Sequence, residues 1–181
     1  MNITNDILIK NDTFFIRGLT KNDSPLYKQI WLEENPASTL IKDFPEIFEK
    51  TYWPEINKSK DEVFMVFDTE NNLIGKLELQ HKDDEEFGIY ILKKFQNKGL
   101  GKNIIKEFFK WLRNERNIKE LVIRIDPENK RSQHIFTQLG ATFLYQKAGL
   151  SETIKEFMVS EGKMTDDELD AIGPYFYKIA L

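Results

Sequence analysis

The chain predicts an α+β fold: one mixed, mostly antiparallel sheet of about seven strands with helices on both faces. Three observations predict it. Apolar, β-branched segments come in neighbouring pairs joined by short polar turns, the pattern of antiparallel hairpins. One of these strands runs through a glycine-punctuated turn straight into an amphipathic helix, which leads on to a further strand. The chain has 181 residues, 40% hydrophobic and 13% aromatic, enough for one compact core and too little for two, so residues 1–181 are read as a single domain.

Ile7–Ile9 and Phe14–Arg17, around Lys10-Asn11-Asp12, form a first hairpin. Asp23 or Ser24 with Pro25 starts a helix that carries Leu26, Tyr27, Ile30 and Trp31 on one face. A second helix is expected from about Asp43 through Ile47, Phe48 and Thr51, ending before Trp53-Pro54. Val63–Phe67 and Leu73–Leu79 pair across Asp68–Asn72, and Phe87–Leu92 completes a meander. Leu100, Ile104, Ile105, Phe108, Phe109 and Leu112 then recur at helical spacing. Leu121–Ile125 is a strand, Ile135, Phe136 and Leu139 mark a short helix ended by Gly140, and Ala141–Tyr145 is another strand. An excursion of some thirty residues follows, within which Thr165 and Glu168 form a capping box for a short helix carrying Leu169 and Ile172. Tyr175–Leu181 closes the sheet.

Composition narrows the function. There is no cysteine and there are only two histidines, His81 and His134, so thiolate chemistry is excluded and a metal-free protein is expected. No apolar run is long enough to span a membrane and the N-terminus does not read as a signal peptide, which makes cytoplasmic location the expectation. Acidic residues outnumber basic ones, 30 to 26, and the lysines are scattered, so nucleic acid is not an expected partner. Asp83-Asp84-Glu85-Glu86 reads either as a solvated hairpin turn or as an acidic lip that draws in a cationic amine.

The turn Gln96-Asn97-Lys98-Gly99-Leu100-Gly101-Lys102 carries the chemistry. The first N–H groups of the helix it opens have no partner within that helix, and the helix dipole adds positive charge, so the turn can hold a phosphate. A dinucleotide fingerprint would need glycine at Ile104, and a P-loop would need Ser or Thr at Asn103; both are excluded. What stands, Gln-x-x-Gly-x-Gly after a strand, resembles the acyl-CoA pyrophosphate loop of the GNAT N-acetyltransferase superfamily. A second segment agrees: after Leu121–Ile125 come Asn129, Ser132, Ile135 and Phe136, at the family's Asn-x-x-Ala-x-x-Leu-Tyr positions, and then Gly140. The two segments span about residues 86 to 145.

The resemblance implies a splay between the family's fourth and fifth strands and acetyl-CoA as cosubstrate. It implies that the backbone of Ile89, Tyr90 and Ile91 pairs with the pantetheine and polarises the thioester, and that Gln96 to Lys102 surrounds the diphosphate. Asn129 would bond the pantetheine arm, with Ser132 and Phe136 beside it. A primary amine, of a polyamine, an aminoglycoside-like molecule or a peptide, would attack directly in a ternary complex. Two departures bear on mechanism. Phe136 stands where many members have a proton-donating tyrosine, and Arg124 where the ribosomal-protein alanine acetyltransferases have a glutamate. Acid and base are therefore sought among Asp126, Glu86 and Tyr90, and more widely Glu85, Glu78, Ser132 and Tyr177. Asp126 leads, because Asp-Pro at the end of that strand is similar to the aminoglycoside 6′-N-acetyltransferases. Its other reading is a helix cap with Pro127 at the first helical position, and that of Tyr90 is a packed strand residue. An acyl-CoA-binding regulatory protein without turnover is the alternative to an enzyme. A monomer and a homodimer both fit.

Overall fold

The computed structural model describes residues 6–82, 84–148 and 152–181. Eight strands form one sheet in the order β1-β2-β3-β4-β5-β6-β8-β7. They are β1 (Ile7–Lys10), β2 (Phe14–Gly18), β3 (Glu62–Asp68), β4 (Leu73–His81), β5 (Glu85–Ile91), β6 (Glu120–Ile125), β7 (Thr142–Gln146) and β8 (Tyr175–Ala180). Every neighbouring pair is antiparallel except β5 and β6. The helices are α1 (Ser24–Glu34), α2 (Thr39–Asp43), α3 (Trp53–Lys58), α4 (Leu100–Glu115), α5 (Lys130–Gln138), α6 (Glu152–Ser160) and α7 (Asp166–Ala171).

The sheet has a core on each face. One joins Phe64, Ile74, Leu77, Leu79, Phe87 and Ile123 to the buried stripe of α4, Ile104, Ile105, Phe108, Phe109 and Leu112, and to Phe136 of α5. The other sets Met65, Phe67, Leu73 and Leu92 against Tyr27 and Ile30 of α1, Ile41 of α2, Phe48 and Trp53. Tyr27, Phe48 and Trp53 in that second core, half-buried Trp31 and exposed Tyr52 at its edge form a run of ring contacts between 5.1 and 6.5 Å. Aromatic pairs at such separations add to the area they bury.

Three departures from the sequence reading have local causes. The helix expected to stop before Trp53-Pro54 runs on through it: a π-helical turn, Phe48–Tyr52, leads without a break into α3, with the Trp53 N–H donating to the Phe48 carbonyl. Of the two apolar residues expected on α7, Leu169 is buried but Ile172 is its exposed C-cap. The capping box itself is present, Thr165 Oγ1 accepting from the Glu168 N–H at 3.2 Å and Glu168 Oε2 from the Thr165 N–H at 2.8 Å. The excursion also contains α6, whose buried Lys155 pairs with Asp170 at 3.3 Å while Asp170 accepts the Ala148 N–H at 2.9 Å. These bonds tie the excursion to the end of β7.

The parting of the sheet is the feature that positions the site. β5 and β6 pair only at Glu86 with Val122 and Phe87 with Ile123, and beyond that point the strands diverge. Counted along this chain, whose sheet has eight strands where about seven were expected, the splay falls between the fifth and sixth strands.

Candidate active site

The Leu92 N–H donates to the Ile74 carbonyl at 2.9 Å, so by alternation the backbone polar groups of Ile91 and Ile89 face away from β4, toward the parted strand. The Ile91 carbonyl accepts from Gln96 Nε2 at 2.7 Å, which folds the loop back against the end of β5. Asn97 and Gly99 then take positive φ, 62° and 76°, and turn the chain into α4. Glycine suits the second of these because no Cβ crowds the following carbonyl in the left-handed region.

Gly99 is the N-cap of α4 and gives no side-chain cap. The first-turn N–H groups are therefore turned to the groove with the positive end of the helix dipole behind them. Gly101 has room that the protein does not use: a Cβ there would have its nearest neighbour, Ile91 Cγ1, at 3.9 Å. Lys94 and Lys98 lie over the Phe95 ring at 5.0 and 5.3 Å, and Lys102 reaches Gln138 Oε1 at 2.9 Å, so three cations flank the loop. This surface, floored by Leu100 and Ile105, is continuous with Ile89, Tyr90, Asn129, Ser132 and Phe136 in one groove. A second cleft, lined by Gly88, Ile89, Arg124, Asp126, Asn129 and Ser132, occupies the gap between the parted strands.

Asn129 lines both. Its Oδ1 caps α5 by accepting from the Ser132 N–H at 3.0 Å, which leaves the amide nitrogen for a ligand. Phe136 is buried, edge-on to Phe87 at 6.2 Å between centroids.

The acid–base candidates lie in different settings. Asp126 is exposed on the wall of the parted-strand cleft, its Oδ1 accepting from the Glu128 N–H at 2.7 Å. It organises the turn rather than capping the helix: α5 starts at Lys130 with Asn129 as N-cap, so Pro127 lies in the turn. Glu86 is buried between Lys82, at 2.7 Å, and Arg124, at 3.3 Å. Tyr90 packs toward α1, its hydroxyl 3.5 Å from Glu33 Oε2, and burial together with the charges of Glu33 and Glu34 pushes its phenol up. Tyr177 is in the core.

The acidic run forms no lip at the groove. Glu85 and Glu86 lie in β5 at the end remote from the loop and pair with His81, Lys82 and Arg124; Asp83 lies outside the described residues. Lys76 was missed at sequence level. It lies buried beneath α1 between Glu34 and Glu78, and its signal was a cation set among Leu73, Ile74, Leu77 and Leu79, two places before a glutamate on the same face. Arg131, which also lines the groove, was missed as well.

A family model described as an acetyltransferase (GNAT) domain matches residues 14–142, well over half of the chain. The chain belongs to the GNAT acetyltransferase family. It is 27% identical over 137 residues to a spermidine N(1)-acetyltransferase of Vibrio cholerae serotype O1, covering 74% of this chain and 75% of that one. Among solved structures it resembles the V. cholerae spermidine N-acetyltransferase in complex with CoA and spermine, with a TM-score of 0.63 and 17% identity over 94% of this chain and 96% of that one. The dodecameric form of the same enzyme gives 0.64 and 17%, over 94% and 95%. At these identities the structural likeness is one of fold. Among the described residues no group of three or more His, Asp or Glu could hold a metal, and no helix is long and apolar enough to cross a membrane.

Proposed function

We propose that this protein transfers an acetyl group from acetyl-CoA to a primary amine of a small cationic acceptor, of the polyamine kind, by direct attack in a ternary complex. One observation carries the reading: the uncapped N-terminus of α4, entered through left-handed Gly99, opens on a groove that continues into the gap between β5 and β6. The diphosphate fits against the amides from Gly99 to Lys102 with Gln96, Asn97 and Lys98 around it. The pantetheine fits the gap beside Ile89 to Ile91 and Asn129, over Ser132 and Phe136, where a β5 N–H polarises the thioester carbonyl.

The roles proposed for Asp126, Glu86 and Tyr90 divide by setting. Asp126, exposed on the cleft wall, suits passing a proton to water. Glu86, held by two cations, suits setting the charge beside the strand fork. Tyr90 suits orienting the acceptor side through Glu33. The spermidine acetyltransferase relatives support a cationic acceptor. A cytoplasmic location, with a monomer or homodimer, is the reading for this chain; sedimentation velocity would separate these from the dodecamer described for the V. cholerae protein.

The test is calorimetry with acetyl-CoA, followed by thiol release with spermidine, spermine, an aminoglycoside and a peptide amine. Micromolar binding and release with a polyamine are expected. Absence of binding overturns the reading. Binding without release above background supports instead a regulatory acyl-CoA-binding protein, the reading favoured by buried Phe136 and by Arg124.

A further inference from the structure

On the sheet face covered by α1, β4 and β5 set two cross-strand pairs side by side, Lys76 with Tyr90 and Glu78 with Gly88. Lys76 is only 5% exposed, and its ammonium lies 2.6 Å from Glu78 Oε1, 2.8 Å from Glu34 Oε2 and 3.4 Å from the Tyr27 hydroxyl. The Tyr27 hydroxyl also donates to Glu78 Oε1, at 3.1 Å. Burial by itself would lower the lysine, but Glu78, Tyr27 and Glu34 together hold it above the ordinary lysine value. An ammonium buried this far stays in place only because its partners surround it.

The inner partners thus all converge on one oxygen of Glu78. Oε2 carries no hydrogen bond among the described residues, and it looks toward Gly88, where an added Cβ would stand 3.6 Å away. Gly88 is also a wall of the cleft between the parted strands. The missing side chain leaves a window from the thioester side of the sheet to this oxygen.

We propose that Glu78 receives the acceptor's ammonium and takes its proton, and that Lys76 is a positioning residue, a tethered cation that fills the Glu34–Glu78 pair and leaves one oxygen for one substrate nitrogen. The assignment rests on the acetyl-transfer reading. A proton passes from the ammonium to Oε2, and the freed nitrogen pair bonds to the thioester carbonyl carbon. The C–S pair then leaves on sulfur, and a second N–H proton of the adduct goes to that thiolate. Glu78 returns its proton to water.

The experiment uses the full chain with acetyl-CoA and spermidine. Wild type without acetyl-CoA binding or thiol release removes the acetyl-transfer reading and this one with it. With wild type active, E78Q is expected to lower kcat/KM by about 10²- to 10⁴-fold, with the acetyl-CoA Kd within about twofold of wild type. It should also lose the acidic limb of the kcat/KM–pH profile. The charged and titratable groups facing Glu78 are Lys76 on its own strand, Tyr27 and Glu34 on α1, and Tyr90 on β5. K76M, by removing the one cation among them, is expected to move that limb to higher pH, and K76R to restore it in part. G88A places a methyl at ordinary contact distance and so spares the fold, yet is expected to lower kcat/KM at least tenfold; it decides the matter should K76M not fold. Wild-type kinetics in E78Q, or loss of the acidic limb in D126N and not in E78Q, would overturn the assignment.

Discussion

Gly101→Val separates what the protein needs from what its ligand needs. Gly101 is in the first turn of α4, and a Cβ there meets only Ile91 Cγ1, at 3.9 Å. Valine forms helix no worse than glycine, so the unliganded protein should change by no more than about 0.5 kcal/mol. For a chain of this size that moves the melting temperature by under about 2 °C. The same side chain would stand over the uncapped N–H groups. Displacing one charge-assisted bond between those amides and a diphosphate costs about 1.5–3 kcal/mol, a roughly ten- to hundredfold rise in the acetyl-CoA Kd. Calorimetry with acetyl-CoA and thermal unfolding without it give the two numbers. A Kd within threefold of wild type would refute the placement of the diphosphate. So would a fall of several degrees in the unliganded midpoint, which would mean that the space belongs to the protein.

Gly75→Ala should act through the fold: its Cβ would stand 2.0 Å from the Tyr90 carbonyl oxygen, so β5 must move or the sheet open, and a loss of about 3 kcal/mol or more is expected in urea unfolding. Asp23, buried, takes both Arg17 nitrogens at 2.7 and 2.8 Å and the Thr20 N–H at 2.7 Å, so Asp23→Asn should cost about 3 kcal/mol. Burial would raise this carboxyl, but Arg17 and Thr20 hold it below the usual range. Its contribution is present above the unfolded carboxylate value and lost as pH falls through the lower folded one; D23N should lack that acid dependence in unfolding midpoints taken from pH 6 downward. His81 has the opposite sign. Partial burial opposes its charge, but Glu85 and Glu62, at 2.8 and 3.0 Å, raise it, so its contribution is full below the unfolded imidazole value and is lost as pH rises through the higher folded one. H81Q should flatten the fall in stability expected of wild type from about pH 6.5 upward.

The strand, turn and helix on which the proposed cofactor site rests were legible because they are written locally. A buried strand, two glycines and an apolar stripe at helical spacing lie within some two dozen residues, and each enforces its geometry without help from distant chain. The helix cap was read one turn too early, at Asp126, whereas Asn129, singled out only through the resemblance, is the residue that caps α5. The acceptor half, as proposed, is written between elements. Lys76 in β4 reads by alternation as a solvent-facing cation, and only α1, carrying Tyr27 and Glu34, buries it. Glu78 acquires meaning from Gly88 across the ladder, a pairing fixed by register rather than by sequence proximity. The misplaced end of the second helix has a different cause. Pro54 was read as a stop, but the helix passes through it by way of the π-helical turn Phe48–Tyr52, and the rings of Phe48 and Trp53 packing on Tyr27 hold that course.

The fork between β5 and β6 also bears on mechanics. Two residue pairs are all that join the five-stranded and three-stranded portions of the sheet through backbone ladder contacts, leaving the remaining edges without a continuous seam. A pantetheine arm laid into that opening would serve as a substitute strand, bridging the halves with its own amides. Amide exchange along both edges should then slow when the thioester arrives and quicken as the spent thiol departs, so the stiffness of the domain would follow its catalytic cycle.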